Sequence, residues 1–395
     1  MYLGFKFRLY PNASQRTLLA KHFGCARFAY NYALALKIKT WETEHKNLSQ
    51  FELCKVFPVL KKQEGTEWLA EVCSHSLQCE MANLDMAFTR FFREKKGFPQ
   101  FKSKHDRKSY STNVNIAMGP GFVRLPKLGV LKAVISRKIS GRITTATVSQ
   151  TPTGKYFVSL LCDDGVEAPT VEPAVEETTL GIDLGIKHFA TFSTGEKVEN
   201  PKHLQASLRK LRRAQRKLSR RAKGSNNRRK QARVLASIHE KVVNRRKDFQ
   251  HKLSTRIIRE NQAIALETLD VSGMQNNHKM SRAIGDAGWS QFVSMLEYKA
   301  ARRGRAVMRI GQFEPSSRLC TCGEVNRELK LSDRVWTCRC GQTHDRDVLA
   351  ASNIKRMAFH SKQQSHNSIP ADSREFTPAE TLNRESLKQE SQPKG

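Results

Sequence analysis

Twice in the second half of this chain an apolar run ends on a carboxylate: TTLGID closes at Asp183 and AIALE at Glu267. An ionised acid set into a buried strand is expensive unless a donor, a cation or a metal takes up its charge. The fold must therefore bring something positive to the ends of both strands. A third acid, Asp347 in HDRDVLAASNI, stands where a helix begins. The helix dipole favours acids in a first turn, so capping accounts for Asp345 or Asp347 taken alone. Asp270, three residues past Glu267, replaces it if the strand register differs.

Between Glu267 and Asp347 lie two cysteine pairs, Cys320 with Cys322 and Cys338 with Cys340, each followed by glycine and separated by fifteen residues. Such knuckles clasp one tetrahedral Zn²⁺, and four protein ligands leave no open position, so the site is structural. Each pair is CxC where CxxC is usual, which demands tighter knuckles, and His344 is a reserve ligand. The other five of the nine cysteines are scattered. The odd total and the missing secretory leader lead us to expect a reducing cytoplasm; the absence of a long apolar run excludes a membrane span, and no membrane partner is expected.

Lys and Arg number 69 against 37 Asp and Glu, a formal charge of +32. That is the footprint of a polyanion binder, shared by enzymes and by proteins that only coat nucleic acid. The cations concentrate between residues 202 and 239, with fourteen Lys or Arg and no acid. Leu204, Leu208, Leu211 and Leu218 share a helical face, GSNN makes a turn, and a second apolar stripe follows, so a basic helical hairpin is expected over 202–260. A smaller mixture occurs in GFPQFKSKHDRKSY, where Phe98 and Phe101 alternate with cations and suit nucleic-acid contact. The chain opens on a strand, Leu3, Phe5, Phe7 and Leu9 alternating with polar residues, and continues into helices carrying Leu77, Met81, Leu84, Phe88 and Phe91.

After an acidic, Pro-bearing linker the order becomes strand, strand, strand, basic helices, strand, helix, strand, helix. That is an RNase H-like order with a long insertion, in which carboxylates from separate elements converge. IDLG strands also cradle phosphate in actin-like ATPases, so the first motif alone does not decide.

KFRLYPNASQ, GCARFAYNYAL, LDMAFTRFF with GFPQFKSK, GIDLGIKHFAT, ALETLDVSGM, the cysteine pairs and HDRDVLAASNI together make most of residues 1–358 resemble TnpB (OrfB) of bacterial insertion sequences, compact RNA-guided nucleases related to type V CRISPR effectors. The resemblance implies a multidomain α+β protein. Residues 1–165 form a wedge-like β lobe with a helical recognition region at about 13–95, and 166–177 a linker. Residues 178–314 form an RNase H-like (RuvC) nuclease domain carrying the basic hairpin, 315–343 a zinc ribbon, 344–358 the RuvC C-terminal helix and 359–395 a disordered tail. Asp183, Glu267 and Asp347 become the catalytic triad and ligands of two Mg²⁺ ions about 3.5–4 Å apart. Asp347 is preferred to Asp345 because the family acid precedes an xNAA segment, here VLAA with Leu349 in place of Asn. The implied partners are a guide RNA from the transposon end, one protein copy per guide, and double-stranded target DNA cut beside a short motif, in the bacterial cytoplasm at the nucleoid. The alternatives are a guided DNA-binding regulator with weak or no catalysis, and an accessory transposase.

Overall fold

The computed structural model describes residues 1–312, 314–330 and 332–366, with side chains to Phe359. In chain order its elements are β1 (Tyr2–Tyr10), α1 (Ala13–Glu44), α2 (Gln50–Leu60), α3 (Ser74–Glu94), β2 (Lys108–Thr112), β3 (Ala117–Gly119), β4 (Phe122–Leu125), β5 (Gly129–Val134), β6 (Arg142–Gln150) and β7 (Tyr156–Asp163). Then come β8 (Thr179–Asp183), β9 (His188–Phe192), β10 (Lys197–Glu199), α4 (His203–Ser219), α5 (Asn226–Glu260), β11 (Ala263–Glu267), α6 (Val271–Gln275), α7 (Ser281–Ala287), α8 (Trp289–Ala301) and β12 (Ala306–Ile310). The last are β13 (Val335–Thr337), β14 (Thr343–Asp345) and α9 (Arg346–His366). None of the described helices is long and apolar enough to cross a membrane.

The chain divides into two compact units. The first comprises Met1–Val171, Pro201–Ile257 and His278–Gly304; the second comprises Glu172–Asn200, Ile258–Asn277 and the chain from Arg305 onward. In the first, β1 alternates as expected and buries Leu3, Phe5, Phe7 and Leu9. It lies inside an antiparallel sheet of order β2-β6-β7-β1-β5-β4-β3. Asn12 and Gln15 form a reciprocal capping box that starts α1. Tyr30, Leu34, Leu53, Phe57, Leu77, Met81 and Leu84 then make a separate core among α1, α2 and α3.

The basic hairpin forms, with Gln231 Nε2 donating across it to the Ala214 carbonyl at 3.2 Å. It gathers, however, with the first unit, and so do α7 and α8, although the sequence groups 178–314 together. Polar ties account for the difference. Both Asp286 oxygens accept from the opening amides of α4, Gln250 donates to the Ala287 carbonyl at 2.8 Å, and Lys155 pairs with Glu240 at 2.8 Å.

The second unit holds a mixed sheet of order β10-β9-β8-β11-β12, in which β11 runs parallel to both β8 and β12 while β8, β9 and β10 form an antiparallel meander. α9 lies against this sheet and buries Ile354 and Ala358 with Ala263, Ala265 and Met308. It continues to His366, so the tail expected from residue 359 is helical over its first residues. The rest of that expected tail, 367–395, lies outside the described residues.

Candidate active site and zinc centre

β8 and β11 pair in parallel with Leu266 opposite Ile182, so Asp183 and Glu267 leave the same edge of the sheet. The third acid arrives on a helix, and Gly181 is what lets it come close. A Cβ at position 181 would collide with the Ala351 carbonyl of α9. Gly181→Ala should therefore push α9 off β8 and cost about 1–3 kcal/mol, read as a lowered melting temperature together with a loss of activity.

Burial comes first in setting the state of Asp183, followed by the negative charges of Asp347 and Glu267; together they push its carboxyl up to about 7, against the pull of Arg346 and Arg334. Burial also raises Glu267. The three acids thus share one electrostatic site, although they do not form a tight nest. Among the described residues only the four clustered cysteines bring their ligand atoms all within 4.8 Å of one another.

The acids that competed for these roles have other duties. Asp345 Oδ1 accepts the amides of Asp347 and Val348, each at 3.2 Å, and its other oxygen pairs with Lys197 at 2.6 Å. Its carboxyl sits below the ordinary range because these partners outweigh burial, which alone would raise it. Asp270 caps α6 through the Gly273 amide at 2.9 Å. Asp347 instead meets Arg334, whose Nη1 donates to Oδ1 at 3.4 Å. Sequence patterns do not reveal Arg334. It sits between the cysteine pairs, where no spacing rule marks it, and reaches the site because β13 pairs with β14 and the Arg346 amide donates to the Arg334 carbonyl at 2.8 Å.

Cys320 and Cys340 have sulfurs 3.7 Å apart, as do Cys322 and Cys338. Four sulfurs about 2.3 Å from a tetrahedral zinc ion lie roughly 3.8 Å from one another, so the donor set and spacing fit Zn²⁺. His344 Nε2 lies 3.0 Å from Cys320 Sγ, and its ring packs against Trp336 at a tilt of 52° with centroids 5.0 Å apart. Burial acts to raise the Cys320 thiol, but hydrogen bonds from the Cys322 amide and from His344, Cys322 and Cys338 draw it down. Leu349, the departure from the xNAA pattern, is a packing residue. It is buried with Cys320, Leu329, Trp336 and Cys338, and so fastens α9 to the ribbon. Asn353 strengthens that joint by donating to the Ser316 and Leu319 carbonyls at 2.7 and 2.6 Å.

In the first unit, α4 and α7 enclose a groove of about 750 Å³ lined by Arg209, Arg212, Arg213, Arg216 and Arg282. The neighbouring carboxylate, Asp286, accepts the α4 amides, and among the described residues none of these guanidinium groups forms an ion pair with an acid.

Three family models match the chain: IS605 OrfB, described as "Probable transposase", over residues 162–278; an OrfB "Helix-turn-helix domain" over 1–46; and a "Cas12f1-like, TNB domain" over 289–354. A Streptomyces pristinaespiralis protein named "Putative RNA-guided DNA endonuclease" is 42% identical over 357 residues, covering 89% of this chain and 88% of its own length. The chain belongs to the IS605 OrfB (TnpB) family. A second relative, Escherichia coli "Putative RNA-guided DNA endonuclease InsQ", is 32% identical over 89% of this chain and 90% of its own length. In this OrfB member, residues 1–46 are the strand β1 and the single long helix α1.

Proposed function

We propose that this OrfB protein is an RNA-guided DNA endonuclease encoded by a bacterial insertion sequence, with an RNase H-like (RuvC) centre made by Asp183, Glu267 and Asp347. The observation that carries the reading is the convergence of two neighbouring parallel strand ends and the first turn of α9 on one site, where Asp183 is pushed up by burial and by the other two acids. The order of strands and helices in the second unit supports the RNase H-like assignment. The names of the two relatives support guide RNA and target DNA as partners.

The donor set consists of carboxylate oxygens, the hard ligands that Mg²⁺ takes, and a cation there would offset the burial and the repulsion that hold Asp183 up. Bound magnesium supplies activation of water and stabilisation of the leaving oxygen in phosphodiester hydrolysis. The chain itself supplies position and charge. Asp345, tied to Lys197 and the α9 amides, fixes the first turn of the helix and with it Asp347. Arg334 stands beside Asp347 and is placed to bind a non-bridging phosphate oxygen as charge builds on it. The arginines of the α4 groove hold nucleic-acid backbone by charge and without sequence preference, leaving sequence choice to the guide.

The test is incubation of purified protein and its copurifying RNA with matched duplex DNA and Mg²⁺. Cutting of matched DNA alone is the expected result, and guided binding without cutting would reassign the protein as a regulator. Activity on transposon ends that survives RNase treatment would point to the transposase reading. Arg334→Ala should slow cutting by about 10²–10³-fold with guided binding retained, as single-turnover rates will show.

A further inference from the structure

Four phenylalanines gather at the C-terminal end of α3. Phe98 packs edge-on against Phe88 and Phe91 at centroid distances of 5.6 and 5.4 Å, and Phe92 joins both of those rings at 6.3 and 5.0 Å. Phe92 is nevertheless 59% exposed and Phe98 42%, while Phe101, three residues on, is 55% exposed. Exposed aromatic area of this kind marks a binding surface.

The segment bearing Phe98 and Phe101 is built to hold them there. The Asn31 side chain pairs with both backbone groups of Lys102, accepting from its amide at 2.7 Å and donating to its carbonyl at 2.9 Å. The Lys102 ammonium lies 2.6 Å from the buried Glu80 carboxylate and 3.8 Å from the centre of the Tyr30 ring. Pro99, between the two phenylalanines, is buried. Arg90, Arg93, Lys95, Lys96 and Lys104 are all exposed nearby, and none of them has a carboxylate partner among the described residues.

We propose that this cluster is a stacking platform for unpaired bases of RNA. Fixed rings give up little freedom when a base lands on them, and the surrounding cations complement the phosphates that link such bases. Unpaired bases are what RNA presents in loops and at ends, whereas a DNA duplex keeps its bases stacked inside. The platform shares no residue with the proposed cleavage centre, and its test needs neither metal nor cutting, so its failure is distinguishable from failure of the nuclease reading.

Full-length protein is titrated by fluorescence anisotropy against labelled oligouridylate, oligothymidylate of equal length and duplex DNA over a range of salt. Phe98→Ala with Phe101→Ala should weaken RNA binding about tenfold or more while leaving duplex binding and the slope of log K against log salt unchanged. Arg93→Ala with Lys96→Ala should instead reduce that slope by about one for each phosphate that is no longer neutralised. A 2-aminopurine in the RNA should be quenched by the unaltered protein, which keeps the test independent of how the variants fold. Unchanged RNA affinity, absent quenching, an equal loss on duplex, or preference for oligothymidylate would overturn the proposal. Loss of self-association in place of RNA binding would do so too, assigning the rings to a second copy of the chain.

Discussion

Asp183→Ala is expected to reduce DNA cutting by well over a hundredfold while leaving guided DNA binding intact. Disturbing groups that merely orient metal ligands costs about 10–100-fold, and removing a ligand exceeds that. Binding should survive because a carboxylate is not a phosphate-binding group and because the arginines proposed to hold the nucleic acid lie on α4 and α7. Loss of the Asp183 carboxyl also carries a second, opposite signature. Asp183 titrates in the folded protein at about 7 against an ordinary 3.8, so the folded state holds its proton more tightly than the unfolded chain. That stabilisation is complete below about pH 4 and is lost as pH rises through 7, leaving a cost on the order of 4 kcal/mol in metal-free protein. Asp183→Asn should therefore raise the melting temperature at pH 8 without Mg²⁺ and flatten its fall between pH 4 and 7. A variant that still cuts would exclude Asp183 from the centre, and one melting no higher at pH 8 would mean that its charge is already compensated.

Removal of zinc is the second large effect. Metal analysis should find about one Zn²⁺ per chain, and Cys320→Ala or a strong chelator should lose it. Structural zinc contributes roughly 10–16 kcal/mol to the small modules that depend on it. Here the ribbon shares its core with α9 through Leu349 and Asn353, so the damage should spread to the helix that carries Asp347. The expected outcome is loss of protection from proteolysis in residues 315–345 together with loss of cutting. A zinc-free protein that stays protected and active would remove the ribbon from the account, whereas retained protection without cutting would give the metal a role in chemistry alone.

Short-range patterns in the sequence carried much of this architecture. The alternation that buries Leu3, Phe5, Phe7 and Leu9, the paired basic helices and the cysteine spacing all arise from where successive side chains point along a strand, helix or knuckle, and that direction is set locally. The acid-ended runs at Asp183 and Glu267 were visible for the same reason. Choosing among Asp345, Asp347 and Asp270 was not a local matter. All three stand near helix starts, and their roles separated only when Lys197 and the α9 amides claimed Asp345, the Gly273 amide claimed Asp270 and Arg334 came up against Asp347. Nor did periodicity reveal that the basic hairpin gathers with the N-terminal unit, because that grouping depends on Asp286, Gln250 and Lys155 meeting partners tens of residues away. Sequence by itself determined which faces are apolar and which residues are chemically capable. Tertiary packing, through a missing Cβ at Gly181 and a few long-range polar ties, decided which of them share a site.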